Sequence, residues 1–197
     1  MTAIATRCDR VFAVDAKGEN IIPNALVAWN EAAAAKAITS GAHRIVYVPH
    51  RSEMPRLPAI VDRLVSMLIE RGAWCYVFHE LGDIADENRC PPAVGELYRK
   101  GAAAGNIVLA AYQRTVGLPR LVASQSAYVF LFAVYDHDEL DRAAAMMGAA
   151  VRLDPLPLPF TYECYVRGPD GSLIRVDQRR RTARSVAAGS TARPTTV

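Results

Sequence analysis

Trp74-Cys75-Tyr76-Val77-Phe78-His79-Glu80 decides the fold. Five consecutive apolar or aromatic residues have the length of a strand and no polar alternation. Such a strand needs cover on both faces, as in a parallel sheet. The run then stops at a base and an acid. Four other runs repeat this grammar. Val11-Phe12-Ala13-Val14 leads into Asp15 and Lys17-Gly18, and Ile45-Val46-Tyr47-Val48 into Pro49-His50-Arg51. Ile107 to Ala111 leads into Gln113-Arg114, and Tyr128 to Tyr135 into Asp136-His137-Asp138.

Between the runs the period becomes helical. Leu57, Ile60, Val61, Leu64, Val65, Leu68 and Ile69 form one continuous apolar stripe, which predicts a helix over 57–71 stopped by Gly72. Pro91-Pro92 opens another, carrying Val94, Leu97 and Tyr98. Asp138 N-caps a third through Leu140, Ala144 and Met147 to Gly148, and the alanine-rich stretch 25–38 joins the first two strands. Strand–helix–strand alternation implies right-handed crossovers. The expected fold is therefore α/β over residues 1–150, with a mostly parallel sheet of about five strands flanked by helices. Beyond it, Asp154 to Pro159 reads as extended. A hairpin is expected where Phe160–Val166 and Leu173–Val176 flank Gly168-Pro169-Asp170-Gly171, within a 151–177 segment. Residues 178–197 read as a disordered basic tail.

Composition narrows the class. The 197 residues are 51% hydrophobic and 22% charged, enough for a core and incompatible with a wholly disordered chain. The net charge is +3, yet residues 178–197 alone hold five arginines and no acid, so the body is slightly acidic. No apolar run approaches the ~18–20 residues of a membrane span, and the start MTAIATRCDR lacks a signal-peptide stretch. Cys8, Cys75, Cys90 and Cys164 are widely spaced without a C-x-x-C pair. That argues against a zinc site or disulfide framework and points to a reducing cytoplasm. No metal site is expected, and both Trp29 and Trp74 are expected in the core.

In open parallel sheets, ligands bind beyond the carboxyl ends of the strands, so the five polar clusters are expected along one edge. A strand ending in an acid, then a helix, then a strand ending in Gln-Arg has the order of the Walker B and sensor strands of P-loop ATPases. The chain resembles the HerA/FtsK-type family of DNA-translocating and conjugation-coupling ATPases. Four stretches carry the likeness over roughly 10–148. They are Val14-Asp15-Ala16-Lys17-Gly18, Trp74 to Asp83, Asn106 to Pro119 with Ala111-Tyr112-Gln113-Arg114 similar to a T-Q-R-P segment, and Ser124-Gln125-Ser126 to Asp138.

The resemblance implies a RecA-like core, ATP and Mg²⁺ as ligands, assembly into rings, and DNA as partner. It implies Glu80 as the residue activating water and Gln113 as a sensor of the γ-phosphate. Arg114 and Arg120 become candidates for reaching a neighbouring subunit's nucleotide, and Asp15, Lys17 and His79 line the nucleotide edge. Each has a plainer reading too: a capped turn for Asp15 and Lys17, a structural histidine for His79, and a solvated acidic stretch for Asp83, Asp86 and Glu87.

Two departures matter. No G-x-x-x-x-G-K-[ST] occurs, and in the family it precedes the strand ending in D-x-K-G. Only ten residues precede Val11, whereas a strand, loop and helix take ~30. The expected core thus lacks its first strand, which is encoded upstream of Met1 or does not exist. By the resemblance that strand lies between the fourth and fifth runs. Its loss leaves either a groove or a fifth run moved beside the fourth, with unguarded edges and poor solubility. Second, His79 replaces the first Walker B acid, and imidazole is a poor magnesium ligand. The chain therefore reads as an ATPase by resemblance that does not hydrolyse ATP alone. The alternative is a degenerate, non-catalytic subunit assembling with an intact ATPase. A flavodoxin- or Rossmann-like binder lacks its G-x-G-x-x-G after any strand.

Overall fold

The strands beginning at Val11, Arg44 and Cys75 are buried along their whole length or nearly so, and this fixes the architecture. The computed structural model describes residues 1–19, 22–132, 137–147, 164–170, 172–177 and 182–185, grouped in two compact units, 1–122 and 123–197. In the first unit, β1 (Val11–Val14), β2 (Leu26–Ala28), β3 (Arg44–Tyr47), β4 (Cys75–Phe78) and β5 (Ile107–Ala110) form one parallel sheet in the order β2-β3-β1-β4-β5. The α/β class and the five-stranded parallel sheet are as the sequence predicts.

Alternation sorts the side chains. Val11, Ala13, Val46, Cys75 and Val77 pack on one face with Ile22 and with Ala5 of α1 (Thr2–Ala5). Phe12, Ile45, Tyr47, Tyr76 and Phe78 turn to the other. There Phe12 and Tyr76 meet edge to face, ring centroids 6.4 Å apart. α2 (Glu31–Thr39) packs on β2, β3 and α3 (Leu57–Ile69), and α3 packs on α4 (Pro92–Lys100). The predicted apolar stripe of α3 is buried from Leu57 to Leu68. Gly72, at φ +59°, ends it in the left-handed region that a side chain resists.

Two expectations change. The fifth parallel strand is β2, inside the stretch read as a joining helix. Asn30 accepts the N–H of Ala33 at 2.8 Å, so the helix begins only at Glu31 and Leu26-Val27-Ala28 is left to pair with β3. The run 128–135 instead contributes β6 (Val129–Leu131) to the second unit. There β6, β7 (Cys164–Arg167), β8 (Leu173–Asp177) and β9 (Thr182–Ser185) make an antiparallel sheet in that order. The unit boundary consequently falls after Val122 rather than near 150.

The hairpin stands at β7–β8, closed by Gly168 N–H to Ser172 O at 2.9 Å. Part of the expected tail, Thr182–Ser185, is strand. Residues 148–163, 178–181 and 186–197 lie outside the described residues, so the Pro-rich segment and most of the tail do too. α5 (Arg120–Gln125) follows β5 along the chain, and α6 (His137–Met147) follows β6. Asp138 sits in the first turn of α6 rather than at its cap. Trp74 is buried as expected, but Trp29 is 60% exposed. No helix among the described residues is long and apolar enough to cross a membrane.

β5 is left at an edge. Its sequence Ile-Val-Leu-Ala is as apolar as that of β4, yet Ile107 is 44% exposed. No described strand pairs with its outer side. Ile107 and Ala111 send their N–H groups to Trp74 and Phe78, so by alternation Val108 and Ala110 present theirs outward. No charge or proline guards this edge. We expect concentration-dependent self-association that Ile107→Lys suppresses, measured by size-exclusion chromatography with light scattering; an unchanged profile would show that the edge is inert.

The core also carries a pH signature. Burial raises the phenol of Tyr47, with the Glu53 carboxylate adding to the effect, and burial alone raises that of Tyr76, both above the ordinary 10.0. Burial pushes the Cys75 thiol from 9.0 up to about 12. These groups stay protonated in the native state while the unfolded chain loses their protons. Their contribution is complete below the unfolded values and falls as pH rises past them. The melting temperature should therefore drop from about pH 9 upward; a flat profile into that range would contradict the burial.

Candidate functional site

Parallel register brings the strand tips level. Val14 is paired with both Tyr47 and Phe78, and Phe78 with Ala110. The residues that follow therefore emerge at one edge: Asp15 after β1, His50 after β3, His79-Glu80 after β4 and Tyr112-Gln113 after β5. Asp15, Glu80 and Gln113 share that edge, as expected. Adjacent strands lie ~4.8 Å apart, so the tips of β1 and β5 flank that of β4 by one spacing each.

At β1, Asp15 is buried, and its Oδ1 accepts the N–H groups of Lys17 at 3.2 Å and Gly18 at 3.0 Å. Gly18 takes φ +71° to close this turn. The Lys17 side chain is exposed. The plain reading of a capped turn thus describes the local geometry.

At β4, His79 donates its N–H to Val14 O at 3.1 Å, which keeps the strand in register one residue past its last pair. His79 and Glu80 are both half-buried. Leu81 N–H reaches across to Ala111 O at 2.9 Å and ties the tip of β4 to that of β5. Gly82 has no room to spare: a Cβ there would stand 3.3 Å from Glu80 Oε1 and 3.5 Å from the Tyr112 ring. Tyr112 in turn donates its hydroxyl to Gly117 O at 2.9 Å. Both Glu80 and Tyr112 thus border Gly82, while Gln113 and Arg114 stand exposed. Arg120 is not a free probe: its Nε lies 4.0 Å from Glu87 Oε1. Asp83 and Asp86 are exposed, and Asp86 closes its own turn on the N–H groups of Asn88 and Arg89. Of the stretch Ser124 to Asp138, residues 133–136 lie outside the described residues and the rest belongs to the second unit.

Glu53 escaped the sequence reading. Only 8% exposed, it accepts Glu31 N–H at 2.9 Å, His50 N–H at 2.9 Å and the Tyr47 hydroxyl at 3.1 Å. One carboxylate joins the tip of β3 to the start of α2. The available signal was the spacing His50-x-x-Glu53, a capping-box pattern with histidine at the cap.

A magnesium ion takes hard oxygen ligands in near-octahedral array. Among the described residues, no group of three His, Cys, Asp or Glu side chains could hold a metal. His79 supplies nitrogen where oxygen is wanted, and Asp15 turns Oδ1 to its own loop. These residues do not make a magnesium site by themselves.

No protein-family model and no curated protein matches the chain. Solved structures do. The genome-packaging NTPase B204 of Sulfolobus turreted icosahedral virus 2, in complex with AMPPCP, matches with a TM-score of 0.58 and 15% identity, over 89% of this chain and 80% of that one. Its complex with ATP-gammaS gives 0.56 and 14% over the same shares. B204 of Sulfolobus turreted icosahedral virus, a DNA-packaging ATPase, gives 0.50 and 14%, over 89% and 81%. At such identities the likeness is one of fold alone.

Glu53→Gln replaces an acceptor with a group that must offer an N–H to donors. It should cost about 1.5–3 kcal/mol in urea denaturation, since hydrogen bonds to a charged, buried partner are lost; a loss under about 0.5 kcal/mol would mean that the carboxylate does not brace the tip.

Proposed function

We propose that this chain is part of a DNA-acting ATPase motor of the HerA/FtsK kind, and that alone it does not hydrolyse ATP. One observation carries the reading. The order β1-β4-β5, all parallel, delivers Asp15, His79-Glu80 and Gln113 to a single edge in the sequence order of the resemblance. The packaging NTPases of the same fold, studied with nucleotide analogues, support it.

In this reading Glu80 orients the attacking water and Gln113 meets the γ-phosphate, work that depends on groups already placed before reaction. Glu80 is half-buried beside Gly82, and the exposed Gln113 can follow a phosphate. The cradle of backbone N–H groups and the phosphate lysine of a G-x-x-x-x-G-K-[ST] loop are not in this sequence. Phosphate anchoring must come from elsewhere, and the outer side of β5, with which no described strand pairs, is where the sheet is open to another strand. That openness favours, as a second reading, a non-catalytic subunit completed by an intact ATPase, with Arg114 acting across the junction. Oligomerisation belongs to both readings.

The purified chain should show no ATP turnover above background in a phosphate-release assay at saturating nucleotide and magnesium. Turnover that disappears in Glu80→Gln would overturn the inactive reading and establish a self-sufficient site instead.

A further inference from the structure

The opposite end of the same edge carries different chemistry. β2 and β3 lie there, and their tips are physically joined: Val48 N–H donates to Ala28 O at 2.8 Å, and Glu31 N–H donates to Glu53 Oε1. The loop after β2 therefore stands beside the turn after β3. On the first is Trp29, 60% exposed, and on the second are His50 and Arg51, both exposed. Lys17 is exposed at the neighbouring tip of β1.

Three carboxylates of this neighbourhood are directed elsewhere, and a fourth, Glu19, is exposed two residues after Lys17. Asp15 binds its own turn, Glu53 is buried on three donors, and Glu31 pairs with Arg63 on the outer face of α3. Lys17 and Arg51 form no ion pair with another described residue. At the tips of β2 and β3 the rim is thus left with the outward guanidinium of Arg51 beside a bare indole, and Lys17 adds a second cation at the β1 tip. A water-exposed tryptophan beside unpaired cations suits a ligand that offers a flat π-face and negative charge together, which is a nucleobase on its phosphate backbone.

We propose that Trp29, with Arg51 and Lys17, forms a binding site for single-stranded nucleic acid, the indole stacking on a base and the cations meeting phosphates. The tip of β2, which carries Trp29, is three strand spacings, ~14 Å, from the tip of β4, which carries Glu80, with Lys17 on the β1 tip between them. The choice of DNA as the probe rests on the proposed motor reading; the site itself does not require ATP.

Two tryptophans make the test direct, because Trp74 is only 3% exposed and Trp29 is the accessible one. The whole chain is titrated at low salt with an oligothymidylate of about 16 nucleotides, without nucleotide triphosphate, following tryptophan fluorescence and the anisotropy of a labelled oligomer. We expect quenching that persists in Trp74→Phe and vanishes in Trp29→Phe. Trp29→Ala should weaken binding by roughly 5- to 150-fold, the range of one lost stacking contact, while Trp29→Phe keeps most of the affinity. Arg51→Ala and Lys17→Ala should each flatten the dependence of log K on log salt by about 0.7. Circular dichroism checks that the variants are folded.

Affinity indifferent to both Trp29→Ala and Arg51→Ala would sink the site and leave the motor reading standing. Equal quenching by a duplex, whose bases are not free to stack, would sink it as well. No binding to single or double strands would remove both.

Discussion

Four backbone hydrogen bonds in a row hold the carboxyl tips of the sheet level. Val48 donates to Ala28, Asp15 to Tyr47, His79 to Val14 and Ala111 to Phe78, at 2.8, 2.9, 3.1 and 2.9 Å. Because the central strands are buried on both faces, none of these groups can turn to water if the row slips. A one-residue shift would also exchange the two faces of a strand, driving Phe12 and Tyr76 into the side that Ala5 and Ile22 close. Register is therefore set by packing, and the alignment of Asp15, Glu80 and Gln113 is its by-product. Whatever this edge does, its geometry follows from how the apolar residues fill the sheet.

The same row explains the asymmetry of the two edges. β2 is only three residues long and ends in a loop pinned by Glu53 and capped by Asn30, so the β2 edge is short and followed at once by a helix. β5 has four apolar residues, no such closure, and a first residue nearly half exposed. Short strands and covered edges are ordinary defences against unwanted pairing. One side of the sheet has them and the other does not. Among the described residues β5 is thus an interior-type sequence at an edge, the arrangement most open to pairing with another strand.

Local pattern made much of this legible. Four of the parallel strands and α3 could be read because each carries its own signal, an unbroken apolar run or a seven-residue stripe. β2 could not: Leu26-Val27-Ala28 is too short to stand out from the alanines after it, and only the Asn30 cap divides strand from helix. β6 was misassigned for a different reason. Tyr128 to Tyr135 is as apolar as β4, and nothing local says that its partner is β7, more than thirty residues away. At the site, strand-end polar residues were visible individually. Glu53 and the burial of Asp15 were not, since both depend on which N–H groups the fold brings to a carboxylate. Trp29 was misread because an aromatic residue after an apolar run suggests core until the strand is known to end one residue earlier.

That last error bears on how the edge is divided. Trp29 and Arg51 stand where Glu53 is drawn inward and Glu31 pairs with Arg63, and Glu80 stands half-buried beside Gly82 at the tip of β4. An exposed carboxylate among the first group would repel a polyanion, and a basic cluster around Glu80 would pair with it rather than leave it available to water. Trp29 and Arg51 follow β2 and β3, whose tips lie two to three strand spacings, about 10 to 14 Å, from that of β4, while Lys17 follows β1, the immediate neighbour of β4. Rigid strands fix these distances. A molecule bound at Trp29 and Arg51 can therefore be positioned relative to Glu80, with Lys17 standing between the two.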